Sequence, residues 1–143
     1  MKAFCDASFL VSLYTPDANT AKAIQQCSRG AAGLAVTPLA ELEVVNALQL
    51  RLFRRELTQA EVTAAGEAFR RDLADGVYTS FVVSLAIYEK ARSLSRKHTS
   101  SIGCRVLDIL HVAAALVMRA DILYTFDDRQ KSLAKLEGLL AAP

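Results

Sequence analysis

The chain has 143 residues, enough for one domain of ~100 to 200 residues whose core buries most of its apolar surface. Apolar residues (AVILMFWYC) make up 52% and charged residues 22%, with six glycines and three prolines, which excludes disordered, collagen-like and low-complexity classes. Seventeen Lys and Arg against fifteen Asp and Glu leave a formal charge of +2, too little for bulk charge alone to announce nucleic-acid binding.

Cys5, Cys27 and Cys104 are odd in number and lack metal-ligand spacing, so they read as reduced core thiols of a cytoplasmic protein. The opening MKAFCDASFL has no uninterrupted apolar core, because Asp6 breaks it, and no secretory signal is expected. No apolar run approaches the ~18 residues of a membrane span. The expectation is a single cytoplasmic domain over residues 1–143, with no membrane segment.

In chain order, KAFC reads as a first strand, DASFLVSLY as the opening of a helix and PDANTAKAIQQCSR as another. RGAAG is turn-like and GLAVT a second strand. Thr37 and Pro38 supply an N-cap and a first helical residue for a helix running to about Arg55. Thr58 with Glu61 makes a capping box for the next helix, which Asp75 and Gly76 end. VYTSFVV is a third strand and SLAIYEKARSLSRKH a helix; TSSIGC reads as a polar turn before the helix that contains RVLDILHVAAAL. DILYTF is a further strand, DDRQKSLAKLE a last helix, and GLLAA a short edge strand. Short apolar runs alternating with helical patterns imply an α/β fold with a mostly parallel sheet and covering helices.

Asp108 interrupts an apolar helical run, and an isolated buried carboxylate costs several kcal/mol or more unless it is compensated. Parallel sheets place ligands beyond the carboxyl ends of their strands. Asp6 directly follows the first strand and Asp127 the strand ILYTF, with Asp128 beside it, so both are expected at that edge. Glu43 shares a helical stripe with Leu39, Leu42, Asn46, Leu50 and Phe53, whereas Glu41 lies nearly opposite; Glu43 is the inward candidate. Val45, Leu48 and Leu52 on the other side imply that this helix is covered there too, by a helix or a partner chain. Asp108 shares a face with His111 and Val112 near the start of its helix.

Asp6, Glu43, Asp108 and Asp127 can therefore converge. Two carboxylates ~4 Å apart repel by ~4 kcal/mol at an effective dielectric of 20, so such a cluster needs a cation. Oxygen ligands without a His or Cys cluster favour Mg²⁺ or Mn²⁺, which suits phosphoryl chemistry by activating water and neutralising developing charge. Each acid alone also has a structural explanation, as a helix cap, a dipole partner or an arginine's counter-ion. His111 reads as a core-facing or hydrogen-bonded side chain rather than a ligand, and Ser8 and Thr125 as groups that hold the neighbouring carboxylates.

FCDASFLVSLY, TPLAELEVVNAL, RVLDILHVAAAL and ILYTFDDRQKSLA together resemble, in order and spacing, the four acidic motifs of the PIN-domain family, specifically its VapC-type toxin ribonucleases. The resemblance spans nearly the whole chain. It implies a three-layer α/β/α sandwich and a Mg²⁺- or Mn²⁺-dependent endoribonuclease site, with the four acids carried onto Asp6, Glu43, Asp108 and Asp127 and Asp128 as a neighbouring surface acid. It further implies an RNA substrate, a homodimer and a cognate antitoxin whose tail enters the acidic groove. Arg129, Arg51 and Arg105 are the candidate phosphate contacts on the rim. Two alternatives compete. A phosphatase using Asp6 as nucleophile would want a second acid two residues on, where this chain has Ser8; a catalytically silent RNA- or protein-binding module would need none of the four acids.

Overall fold

A computed structural model describes residues 1–30 and 33–143. Among these residues, β1 (Lys2–Cys5), β2 (Gly33–Val36), β3 (Tyr78–Ser80), β4 (Ile122–Tyr124) and β5 (Leu140–Ala142) form one parallel sheet in the order β3-β2-β1-β4-β5. The helices are α1 (Ala7–Tyr14), α2 (Thr20–Ser28), α3 (Pro38–Phe53), α4 (Gln59–Ala74), α5 (Leu85–Leu94), α6 (Ser100–Ile102), α7 (Val106–Val117) and α8 (Asp128–Leu136). None of the described helices is long and apolar enough to cross a membrane.

Successive strand side chains leave on opposite faces of the sheet, and here both faces are covered. Ala3, Cys5, Val36 and Tyr124 enter a core shared with Phe9 and Leu10 of α1, Val44 and Leu48 of α3, and Phe69 of α4. Phe4, Ala35 and Leu123 enter a second core with Ile87 of α5, Val112 of α7 and Leu133 of α8. This three-layer α/β/α arrangement explains why the strands read as continuous apolar runs rather than as alternating ones.

The strand order fixes where the site can be. From β1 the chain winds outward through β2 to β3, then returns to β4 on the other side of β1. The helices that follow β1 and β4 thus leave toward opposite faces, α1 into one core and α8 into the other. Such a reversal opens a crevice at the carboxyl ends of the two strands. Cys5 pairs in register with Tyr124, so the next residues, Asp6 and Thr125, meet at its floor.

Local signals set most boundaries. Thr37 Oγ1 accepts from the Ala40 amide at 3.3 Å, with Pro38 at the first helical position of α3. Thr58 and Glu61 exchange their capping bonds at 2.6 and 3.2 Å. GLLAA supplies β5, which pairs parallel with β4. The RGAAG turn includes residues 31 and 32, which lie outside the described residues.

Three readings need correction. VYTSFVV is strand only over Tyr78–Ser80, with one further bond from the Phe81 amide to Val36 O at 2.9 Å. DILYTF is strand only over Ile122–Tyr124, so Asp127 lies three residues past its end. TSSIGC is not a turn from its start: the chain after α5 widens into a π-helical turn over Ser95–Thr99 and continues as α6, until Gly103, at φ +65°, ends it. Glycine adopts that conformation without the Cβ penalty.

The π turn accompanies a cationic clamp. Glu137, just past α8, accepts from Lys97 Nζ at 2.8 Å and Lys90 Nζ at 3.3 Å, and its Oε1 lies 2.7 Å from His98 Nε2. The hydrogen bonds from Lys97 and His98, then that from Lys90, outweigh burial and hold the Glu137 carboxyl down at about 2. A depressed carboxylate contributes stability above its unfolded value and loses it as the pH falls through its folded value. Glu137→Gln is therefore expected to lower stability by about 1–2 kcal/mol at pH 6, with the deficit shrinking between about pH 4.5 and 2. Urea unfolding of both proteins across that range measures it.

Candidate active site

The site grows from Asp6, the first residue after β1 and the N-cap of α1. It is 1% exposed, yet its carboxylate is well supplied with donors. The Phe9 amide donates to Oδ1 at 2.9 Å, Thr125 Oγ1 to Oδ2 at 2.8 Å, and Ser8 Oγ lies 2.8 and 2.9 Å from the two oxygens. Thr125 in turn accepts from the Asp127 amide at 3.0 Å, and Ser8 Oγ from the Phe126 amide at 2.9 Å. The two hydroxyls thereby tie the loop after β4 to the end of β1, as their positions beside the acids lead one to expect. Burial pushes the Asp6 carboxyl up, while the nearby His111 charge and the donors from Phe9, Thr125 and Ser8 pull it back.

Glu43 reaches the same place from α3 and contacts His111 Nε2 through Oε2. His111 is 2% exposed, beside the Phe4 ring. Burial lowers its pKa, but the Glu43 hydrogen bond and the charges of Glu43, Asp6 and Asp108 more than compensate, so it lies above the ordinary histidine value. One imidazole therefore answers three carboxylates. Its Nδ1 is buried and, among the described residues, has no hydrogen-bond partner.

Asp108 occupies the third position of α7 and is 8% exposed; it accepts from the Arg105 amide at 3.2 Å. That bond and His111, one turn further along, are the compensation its burial demands. Asp127 stands at the margin. Its Oδ1 caps α8 by accepting from the Arg129 and Gln130 amides at 2.9 and 3.0 Å. It still shares surroundings with Asp108: burial pushes the Cys104 thiol up, and the charges of Asp108 and Asp127 add to that push. Asp128 is a surface acid, its side chain 98% exposed and paired loosely with Lys131 at 3.8 Å.

The structure thus places Glu43 in contact with His111, puts Asp6 and Asp108 near enough for their charges to raise the His111 pKa, and links Asp127 to Asp6 only through its backbone amide and the Thr125 hydroxyl. Among the described residues, no three His, Cys, Asp or Glu side chains form a ready-made metal-ligand group. In chemistry the donors do fit a hard divalent ion, since three carboxylates offer oxygens and no thiolate competes. In this arrangement His111 is the group they share, and its pKa lies above the ordinary histidine value.

Glu43 faces the site for a reason the sequence pattern misses. Leu42, Leu50 and Phe53, expected inward with it, are 64, 40 and 84% exposed. The buried face of α3 is instead Ala40, Val44 and Leu48, a stripe of i, i+4 steps that packs on α1 and α4, and Glu43 with Asn46 borders an open groove beside it. Leu48 is covered by α4 as anticipated, but Val45 is 54% exposed. Arg51, a candidate phosphate contact, is already engaged: it donates to Asp17 Oδ2 at 3.0 Å and Thr15 Oγ1 at 2.7 Å. Arg105 and Arg129 are exposed at the starts of α7 and α8.

The family model of the PIN domain matches residues 3–136, and the chain belongs to the PIN-domain family. Three solved structures are similar in fold. Mycobacterium tuberculosis VapC20, titled a sarcin-ricin loop cleaving toxin, is 19% identical with a TM-score of 0.70, the match covering 91% of this chain and 93% of that one. A toxin-antitoxin complex from Klebsiella pneumoniae gives 16%, 0.66, 91% and 90%. PAE2754 from Pyrobaculum aerophilum gives 19%, 0.62, 99% and 89%. No curated protein matches the chain.

Thr125 is wholly buried and is the strut between Asp6 and the Asp127 amide. Replacing it with valine keeps the shape but leaves Asp6 short of a donor, and a hydrogen bond to a buried charge contributes ~1.5–3 kcal/mol. Thr125→Val should lower stability by about that amount at pH 7, as read by thermal or urea unfolding. Unchanged stability would show that Asp6 does not depend on this hydroxyl.

Proposed function

We propose that the chain is a Mg²⁺- or Mn²⁺-dependent endoribonuclease and the toxin of a toxin-antitoxin pair. The observation that supports this reading is the buried carboxylate of Asp6 at the carboxyl-end crevice of a PIN-domain sheet, with Glu43 in contact with His111 and Asp108 one turn before His111 on α7. A divalent ion bound there supplies Lewis-acid stabilisation of the phosphodiester's developing charge and activates water.

The chain's own residues do the rest. Asp6, Glu43 and Asp108 offer carboxylate oxygens as ligands, and Asp127 completes or adjusts the site from the cap of α8. Ser8 and Thr125 fix the plane of the Asp6 carboxylate, so the most buried ligand pays no reorganisation on binding. His111 holds Glu43 in the crevice and offsets the acids' mutual repulsion. Arg105 and Arg129 at the rim are free to draw RNA phosphates toward a pocket that is otherwise negative.

The partners follow from the same reading. VapC20 carries a toxin title and the Klebsiella pneumoniae structure is a toxin-antitoxin complex, which supports an antitoxin partner for this cytoplasmic chain. Val45 and Phe53 of α3, with Leu85 and Val106 near the α5–α7 groove, expose apolar surface suited to a homodimer or to that partner. A second reading, a silent RNA- or protein-binding module, is favoured by one observation: the carboxylates are engaged with His111 and the loop hydroxyls rather than forming a ready ligand group.

Expression of the wild-type chain without an antitoxin is expected to arrest bacterial growth, and Asp6→Asn is not. The purified protein should cleave RNA with Mg²⁺ or Mn²⁺, lose cleavage in EDTA, and lose at least about a hundredfold in rate with Asp6→Asn or Asp108→Asn. RNA left intact under all metal conditions, with growth equally tolerant of both forms, selects the binding module.

A further inference from the structure

An open groove of about 480 Å³ runs beside the acids, between α1 and α3. Its α3 wall is Glu43, Asn46, Ala47, Leu50 and Arg51, with Arg54 at the helix's C-cap; Glu43, Asn46 and Leu50, and Ala47, Arg51 and Arg54, follow steps of three and four residues on one side of the helix. Glu43 belongs to the acid cluster, so the groove begins where the site ends. From Glu43 to Arg54 is about 16 Å along the helix axis, more than one nucleotide can fill.

The charges along this wall are ordered. Arg51 and Asp17 neutralise each other at 3.0 Å, and Arg51 and its companions hold Asp17 below the usual carboxylate range in spite of its burial. Among the described residues, Arg54 has no such partner. It is exposed at the far end, and Asn46, also exposed, has no hydrogen-bond partner among them. The rest of the lining mixes apolar Val11, Leu107 and Phe126 with polar Ser8, Ser12 and Asn19. Apolar surfaces for base faces interleaved with hydroxyls and amides, and, among the described residues, one cation without a carboxylate partner make a strand-binding track rather than a metal or small-anion site.

We propose, on the nuclease reading above, that this groove is a subsite for single-stranded RNA next to the cleaved phosphate, with Asn46 contacting a base edge and Arg54 a backbone phosphate. Arg51 is a positioning residue: tied to Asp17 and Thr15, it joins α3 to the segment after α1 and holds the groove open. An occupying protein segment is the competing case. Neither residue touches the reacting atoms, so their effect falls on binding and on the choice of base rather than on the chemical step.

The test uses the full-length Asp108→Asn protein, expected to bind without cutting and first shown to unfold at the wild-type urea midpoint, and short fluorescein-labelled oligo-A, oligo-C and oligo-U strands, read by fluorescence anisotropy across a salt series in Mg²⁺. Loss of one phosphate contact on a single strand lowers the slope of log K against log salt by ~0.7. Arg54→Ala is expected to weaken binding about three- to tenfold at low salt and to reduce the slope by that amount, while Arg54→Lys keeps the slope. Asn46→Ala is expected to leave the slope unchanged and to level the preference among the three strands. Arg70→Ala, on α4 outside the groove, is the control for a general effect of lost charge. If the Asp108-intact protein cleaves RNA but Arg54→Ala and Asn46→Ala bind as their parent does, the subsite is wrong and the nuclease reading stands. A growth-arrest toxicity that remains while only neutralisation by a co-expressed antitoxin is lost in these variants would assign the groove to a protein and overturn the proposal. If the Asp108-intact protein cleaves no RNA, the nuclease reading fails first.

Discussion

A carboxylate at the end of the central strand organises this molecule. Asp6 is 1% exposed, and the donors that make that tolerable come from two places: the first turn of α1, through the Phe9 amide and the Ser8 hydroxyl, and Thr125 just past β4. Remove the carboxylate and the α1 cap, the β1–β4 crevice floor and the loop into α8 lose a common anchor. The sheet order makes the anchor possible, because only where the winding reverses do neighbouring strands send their chains apart and leave room for a polar centre between two dry cores.

Around that anchor the charge problem is solved by geometry. Asp6, Glu43 and Asp108 come from β1, α3 and α7, and the groups in their midst are the loop hydroxyls and one buried imidazole. Burial lowers the His111 pKa, but the Glu43 hydrogen bond and the charges of Glu43, Asp6 and Asp108 raise it above the ordinary value, so the same imidazole that holds Glu43 favours its protonated form in the company of these acids. The same set of oxygens is what a hard divalent ion requires. On the proposed reading, folding and catalysis draw on one cluster: its internal donors stabilise the chain, and its carboxylates are what a divalent ion would bind.

Much of this could be read from the residues. Asp6 follows its apolar run directly, so its strand-end position follows from the pattern, and Ser8 lies beside it within reach; β4 stops at Tyr124, short of the expected DILYTF, so Thr125 rather than Asp127 stands at the strand end and Asp127 caps α8. Capping signals at Thr37 and Thr58 located two helices to within a residue or two. The face of α3 was not legible, because Leu39, Leu42, Val44, Val45, Leu48, Leu50, Leu52 and Phe53 spread around the helix and no single stripe dominates. Small residues decided it: Ala40 and Val44 let the helix approach its neighbours closely, which left the larger Leu42 and Phe53 outside. The Glu43–His111 contact depends on how near α3 comes to α7, and the π turn after α5 on bonds with no residue signature; neither leaves a mark in periodicity.

The central claim is that these acids form one ion-binding centre, and the most direct measurement is an anomalous-difference map from crystals equilibrated with Mn²⁺. The account predicts a peak between the carboxylates of Asp6, Glu43 and Asp108, lost in the Asp6→Asn protein. A map from saturated crystals with no peak in the crevice, and Glu43 still on His111, would contradict it.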